Sequence, residues 1–282
     1  MKSRFTAVAL DLAARVFAGL LLGLPLYSAV SASGIGHFEG ADRLLFQPGG
    51  LYLTELTRLL FSALVPLGNT ALVTAVALAL LLLLPHGALL AALADREQQP
   101  YATLLGRAAK SFPALLALSG LTLIAQGALL VFFSGVASTA RRPFSDSAPP
   151  VSDAVALVFL GLGGVLALAL GVARDVCRAA AVVESADGRS ALRSGLLALK
   201  RSPGRAARGY VVPALGGLVL LGLGALVTGW LDVSQRGGFR LPLVTSLHLA
   251  VLVGLALCRA RWLATAVALV EPQADASSSA RR

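Results

Sequence analysis

Few side chains in this 282-residue chain could do chemistry, and they fall into three groups. The first is the histidines His37, His86 and His248. An imidazole can serve as general base or metal ligand. His37 lies in HFEGAD beside Glu39 and Asp42, without the paired-histidine spacing of a zinc hydrolase, and reads as part of a solvated loop. His86 and His248 fall in or near apolar runs, where an ionisable residue invites a functional question. Neither has a charged partner in its own run, which favours a neutral ring bonded to a helix carbonyl. The second group is Arg174, Asp175 and Arg178 with Arg259 and Arg261, a charged cluster at the inner mouth of a helix bundle. The alternative for these arginines is anchoring, with each guanidinium reaching out to the headgroups. The third group is Arg189, Arg193, Lys200, Arg201, Arg205 and Arg208. These cations suit contact with anionic lipid headgroups, at about 1 kcal/mol for each residue near the surface.

The chain has no glycine-rich phosphate loop, no G-x-S-x-G elbow, no H-E-x-x-H and no acidic pair within an apolar run. That leans against an enzyme, and no metal or cofactor is expected. Cys177 and Cys258 lie on different predicted helices, with no clustered ligands to suggest a disulfide framework or metal site.

The elements that must position these groups follow from composition. Hydrophobic residues make up 57% of the chain and charged residues 13%, with mean hydropathy +0.80. Soluble domains carry roughly 25% charged residues. The expected class is therefore all-α, a polytopic transmembrane bundle, since about 20 apolar residues in helix cross the hydrocarbon core. The net charge of +10 does not point to nucleic acid, because no basic soluble domain is present to carry that function.

Six spans are expected, near 16–33, 69–94, 113–136, 154–172, 210–231 and 243–257, the last with a helical extension to 270. Residues 1–271 read as one membrane domain and 272–282 as a disordered tail. The first apolar run admits a cleaved signal peptide, but Asp11 and Arg15 interrupt its start, which favours an amphipathic lead-in followed by a span. Gly19 and Gly23 there, and Gly163, Ala167 and Gly171 in the fourth run, form small-residue faces suited to close packing. Residues 34–66 form an outer segment. Its leucine stripe at 53, 56, 59, 60 and 64 fits either an in-plane helix or an extension of the second span. Residues 137–153 and 232–242 read as outer loops. Short amphipathic helices are expected at 101–112, closed by Pro113, and at 189–202, closed by Ser202-Pro203-Gly204.

Orientation follows from charge. Eighteen of the twenty-four Lys and Arg residues fall on one side of this topology and six on the other. By the positive-inside rule both termini are cytoplasmic, in a bacterial inner membrane.

The sequence also repeats itself. RDVCRAAAVVE, Arg174 to Glu184, and RWLATAVALVE, Arg261 to Glu271, share Arg, nine residues, then Glu. HGALLAALADR, His86 to Arg96, is a looser match. The linkers ADREQQPYATLLGRAAKSFP and ADGRSALRSGLLALKRSP also correspond, which suggests helical hairpins packed side by side. Six spans, the R-x(9)-E endings and a turn of the form E-x-x-G-x-x-A-L-x-x-S before a basic amphipathic helix resemble a bacterial family. It comprises uncharacterised six-helix membrane proteins related to the membrane domain of some glycerophosphodiester phosphodiesterases. Here the motif reads Glu184-Ser-Ala-Asp-Gly188-Arg-Ser-Ala191-Leu192-Arg-Ser194, one residue longer before the glycine and one shorter before the last serine. The resemblance implies a fold and no activity, because no counterpart of the catalytic domain or its metal ligands is present.

Three functional expectations follow. The first is a membrane scaffold or accessory protein with basic interfacial helices on anionic lipid. The second is a transporter or permease for a small molecule or lipid, in keeping with repeated hairpins. The third is a lipid-modifying membrane enzyme, which would require His86, His248 and Arg174 to share a site.

Overall fold

The computed structural model describes residues 2–32, 74, 76–95, 97, 99–144, 149–231 and 239–279. The expected outer segment 34–66, with His37, and residues 145–148 and 232–238 of the expected outer loops lie outside the described residues. The described chain is helical: α1 Lys2–Ala32, α2 Val76–Ala94, α3 Tyr101–Arg141, α4 Pro149–Val183, α5 Gly188–Arg201, α6 Pro203–Leu231 and α7 Arg240–Ser279. All but α5 are long and apolar enough to cross a membrane, so the chain is an all-α, multi-pass membrane protein.

Several boundaries move relative to the sequence pattern, each for a local reason. Residues 101–112 are helical but run directly into the third span, with Pro113 inside α3. Pro113 is exposed, so the missing N–H and the ring fall on the open side of the helix. The second proline linker does break. Ser202 leaves the helix at φ −139°, ψ 57°, as a residue before proline prefers to do, and Gly204 follows. The expected loop 137–153 shrinks because α3 continues to Arg141 and Pro149 begins α4, a position where its lost N–H has no intrahelical partner anyway. α7 likewise runs on to Ser279, through most of the expected unstructured tail. The N-terminal lead-in is continuous with the first span. Asp11 and Arg15, which interrupt the apolar run, form an i,i+4 ion pair at 2.7 Å that lets α1 carry both charges.

Contacts divide the chain into two units, Met1–Val8 with His86–Arg282, and Ala9–Pro85. In the larger unit α4 is central and touches α3, α5 and α7, while α6 packs mainly on α7. Small residues set these contacts. A Cβ at Gly163 would lie 2.8 Å from Phe133 Cβ, so α3 and α4 approach closely there. At Gly195 a Cβ would lie 2.7 Å from the Cys177 backbone, and this close approach seats α5 on α4. The expected small-residue face of α4 is therefore used. Gly19 and Gly23 have nothing within 4 Å among the described residues. Buried side chains of this unit gather in the basic half: Leu89–Ala92, Val176–Val182, Ala191, Ala198 and Trp262–Val270. The apolar stretches beyond it, such as Leu157, Val165, Leu218 and Leu226, are exposed, as lipid-facing positions are.

Candidate functional site: a cationic cleft and a basic elbow

The centre of the site is Asp175, buried on α4. The Trp262 indole N–H on α7 donates to its Oδ2 at 3.0 Å. Arg174 Nε lies 3.4 Å from Oδ1 and Arg178 Nη1 3.9 Å from the same oxygen. Arg178 reaches further and donates through Nη2 to Ser119 Oγ on α3 at 2.5 Å. The Ser119 hydroxyl in turn donates to the Leu115 carbonyl. Tyr210 on α6 meets Trp262 edge-to-face, with ring centroids 5.3 Å apart. One carboxylate thus ties together side chains from α3, α4 and α7, with α6 joined through the ring contact. A buried charge persists when it is paired and hydrogen-bonded, as Asp175 is here.

A cleft of about 520 Å³ opens beside this network, within the size range of small-molecule sites. Arg174, Asp175, Arg259, Tyr210 and Trp262 line its basic end. Its far wall is apolar, with Leu168, Leu218, Leu221 and Leu255. Gln126 on α3 also lines it and donates to the Ala167 carbonyl of α4 at 2.8 Å. At 1.5 Å per residue, the cleft follows α4 for about 12 Å, from Ala167 to Asp175, and α6 for about 16 Å, from Tyr210 to Leu221.

The expected inner-mouth cluster is assembled in part. Arg174, Asp175 and Arg259 line the cleft, and Arg178 sits behind Asp175. Arg261 does not join them and is exposed. Arg259 and Trp262 are three apart and share a helix face, which turns Arg261 away. Sequence reasoning missed Trp262, Tyr210, Ser119 and Gln126. One signal was available: Trp262 occupies the position in RWLATAVALVE that Asp175 occupies in RDVCRAAAVVE. A lone glutamine in an apolar run also has to find a partner.

The basic helix α5 packs through Ala191, Gly195 and Ala198, all buried. The leucine stripe at 192, 196 and 199 is not the buried face. Leu192 and Leu199 are half-buried and Leu196 is 48% exposed, because the close approach at Gly195 leaves room only for small residues. Arg189, Arg193, Lys200, Arg201, Arg205 and Arg208 are all exposed along α5 and the first turns of α6, forming a basic elbow. At the other linker, Asp95 accepts from the Gln99 N–H at 2.7 Å and the Glu97 N–H at 3.1 Å. The Gln99 bond foremost, with help from Glu97, Arg107 and Arg4, holds its carboxyl below the usual range against the opposing effect of desolvation. Arg4 Nη2 donates to the Asp95 carbonyl at 3.0 Å.

The two remaining histidines do not share a site with Arg174. His248 Nε2 lies 3.4 Å from Thr228 Oγ1, His86 is buried near the middle of α2, and neither lines the cleft. Cys177 and Cys258 are free thiols. No protein-family model, curated protein or solved structure matches this chain.

Proposed function

We propose that this is a scaffold or accessory protein of a bacterial cytoplasmic membrane, with both termini in the cytoplasm and the basic elbow of α5 and α6 resting on anionic headgroups. The observation that carries the reading is the joint exposure of four cations, Arg189, Arg193, Lys200 and Arg201, and of Leu196 and Leu197 on a helix held to α4 by its small-residue face, with Arg205 and Arg208 exposed at the start of α6. Exposed leucines among exposed cations are the layout of an interfacial helix. The test is charge reversal in the full chain, Arg189→Glu, Arg193→Glu and Lys200→Glu together. Native mass spectrometry of protein purified from mixed phosphatidylglycerol and phosphatidylcholine should show the anionic lipid enriched on the wild type and not on the variant. Equal enrichment on both would sink the reading.

A second reading, transport of a small molecule or lipid, is favoured by the depth of the cleft. Ala167 and Gly217, which line it, sit at the middle of the apolar helices Val151–Val183 and Pro203–Trp230. Reconstituted protein should then speed movement of a fluorescent phosphatidylglycerol between vesicle leaflets. An unchanged rate would remove lipid transport from consideration.

A further inference from the structure

The cleft lies between two helical hairpins that are each held along their length. In the first, α3 and α4 are tied at successive levels. Ser111 Oγ donates to the Ala181 carbonyl at 3.3 Å, Arg178 to Ser119, and Gln126 to the Ala167 carbonyl at 2.8 Å, and Gly163 admits Phe133. In the second, α6 and α7 come together through glycines. A Cβ at Gly209 would lie 2.5 Å from Thr265 Cγ2, one at Gly217 3.1 Å from Leu255 Cδ2, and one at Gly224 3.0 Å from Val251 Cγ2. Close packing repeated along both helices makes each hairpin a single body.

Between the hairpins the contact is one-sided. At the basic end α4 and α7 are packed and bonded: Val176 and Leu263 are fully buried, and Trp262 donates to Asp175. Beyond that joint the walls part around about 520 Å³. Leu168 on α4 is 57% exposed and Leu221 on α6 is 49% exposed, although both line the cleft. The two helices face each other there with small residues, Ala167 and Gly171 on α4 and Ala214 and Gly217 on α6. Small residues on opposed helices let two backbones come together, as α3 and α4 do at Gly163. The covalent link into α6 is also non-helical. Ser202 breaks the helix at φ −139°, ψ 57°, and a Cβ at Gly204 would meet nothing within 4 Å. Residues at the ends of elements are where a hinge absorbs a dihedral change.

We infer that the α6–α7 hairpin swings as one body on the α3–α4 hairpin, about the Asp175–Trp262 joint and the Ser202–Gly204 link, so that the cleft narrows and widens at its apolar end. In the narrow form Ala167 and Gly171 meet Ala214 and Gly217, and Leu168 and Leu221 lose their exposure. Helix packing favours that form, and any occupant of the cleft favours the wide one. The motion uses none of the elbow's headgroup contacts, and its test in neutral lipid is independent of them.

The test is a distance measurement by pulsed electron resonance between spin labels on the full chain in phosphatidylcholine nanodiscs, with Cys177→Ala and Cys258→Ala as the background. Labels at Val158→Cys and Leu226→Cys, both exposed positions far from the joint, report across the cleft. Labels at Leu226→Cys and Leu257→Cys report within the second hairpin. At 1.5 Å per residue Val158 and Leu226 each lie about 25 Å from the joint, so a swing of about 10° changes their separation by about 4 Å. The distances across the cleft should spread over about 4 Å or more, while those within the hairpin form one narrow peak. Ala214→Phe wedges the walls apart and should remove the shorter distances across the cleft, leaving the peak within the hairpin unmoved. A peak across the cleft as narrow as the one within the hairpin, or short distances that survive Ala214→Phe, would overturn the proposal. So would a broad distribution within the hairpin, because the hairpin would not then be one body.

Discussion

The two sequence copies RDVCRAAAVVE and RWLATAVALVE end up in unequal surroundings. In the first, on α4, Asp175 through Val182 are buried without interruption. In the second, on α7, burial follows one helix face: Trp262, Leu263, Ala266, Val267, Leu269 and Val270 are buried, while Arg261 and Ala264 are exposed. The cause is position. The α4 copy lies where α5 seats on Cys177 and α7 docks through Trp262, whereas α7, with α4, α5 and α6 as neighbours, buries one face of its copy. Between Asp175 and Val182 the buried α4 copy is alanine and valine with one cysteine apart from the charged Asp175 and Arg178, whereas the α7 copy also uses tryptophan, leucine and threonine. The copies meet at equivalent positions, where Trp262 donates to Asp175. They also end differently. α4 stops after Val183 and turns through Ser185 at φ 49°, a left-handed cap usually given to glycine, while α7 continues past Glu271.

The comparison breaks most severely at Asp175. Asp175→Ala removes the buried carboxylate that Trp262, Arg174 and Arg178 face and should cost about 3–5 kcal/mol in reversible detergent unfolding. Trp262→Phe keeps the ring and removes the donor to a charged acceptor, with an expected loss of about 1.5–3 kcal/mol. The matched pair Cys177→Leu and Ala264→Leu isolates position from sequence. The first overpacks the Gly195 contact and should cost about 1–3 kcal/mol. The second adds the same side chain at the equivalent exposed site and should stay within about 0.5 kcal/mol. Ser185→Gly should stabilise by about 1 kcal/mol by relieving the left-handed turn, as seen in the same unfolding titration.

The smallest effect separates the linkers. Asp95 is bonded to two backbone N–H groups, whereas its counterpart Asp187 makes no side-chain cap bond to α5. The folded-state pKa of Asp95 is lowered, so its stabilisation is full above the unfolded value near 3.8 and is lost as pH falls through the folded one. The melting-temperature gap between wild type and Asp95→Asn should therefore close on acidification below that value.

Much of this architecture was legible in the sequence because a membrane imposes strong rules. Long apolar runs located the six helices, and Asp187-Gly188 located the turn into α5. What composition could not supply was which faces meet. The leucines of α5 have the right period, yet glycine and alanine take the contact because α4 comes too close for leucine. The charged cluster was visible as residue types, but helix phase decided that Arg259 faces the cleft and Arg261 does not. Trp262 carried no signal of its own; only its alignment with Asp175 in the repeat pointed to it.

The most direct test of the account is a double-mutant cycle on the bond that joins the copies, using Asp175→Asn, Trp262→Phe and the two combined. Unfolding free energies should reveal a coupling of about 0.5–3 kcal/mol. Losses that add to within about 0.3–0.5 kcal/mol would mean that the two copies are neighbours without being joined.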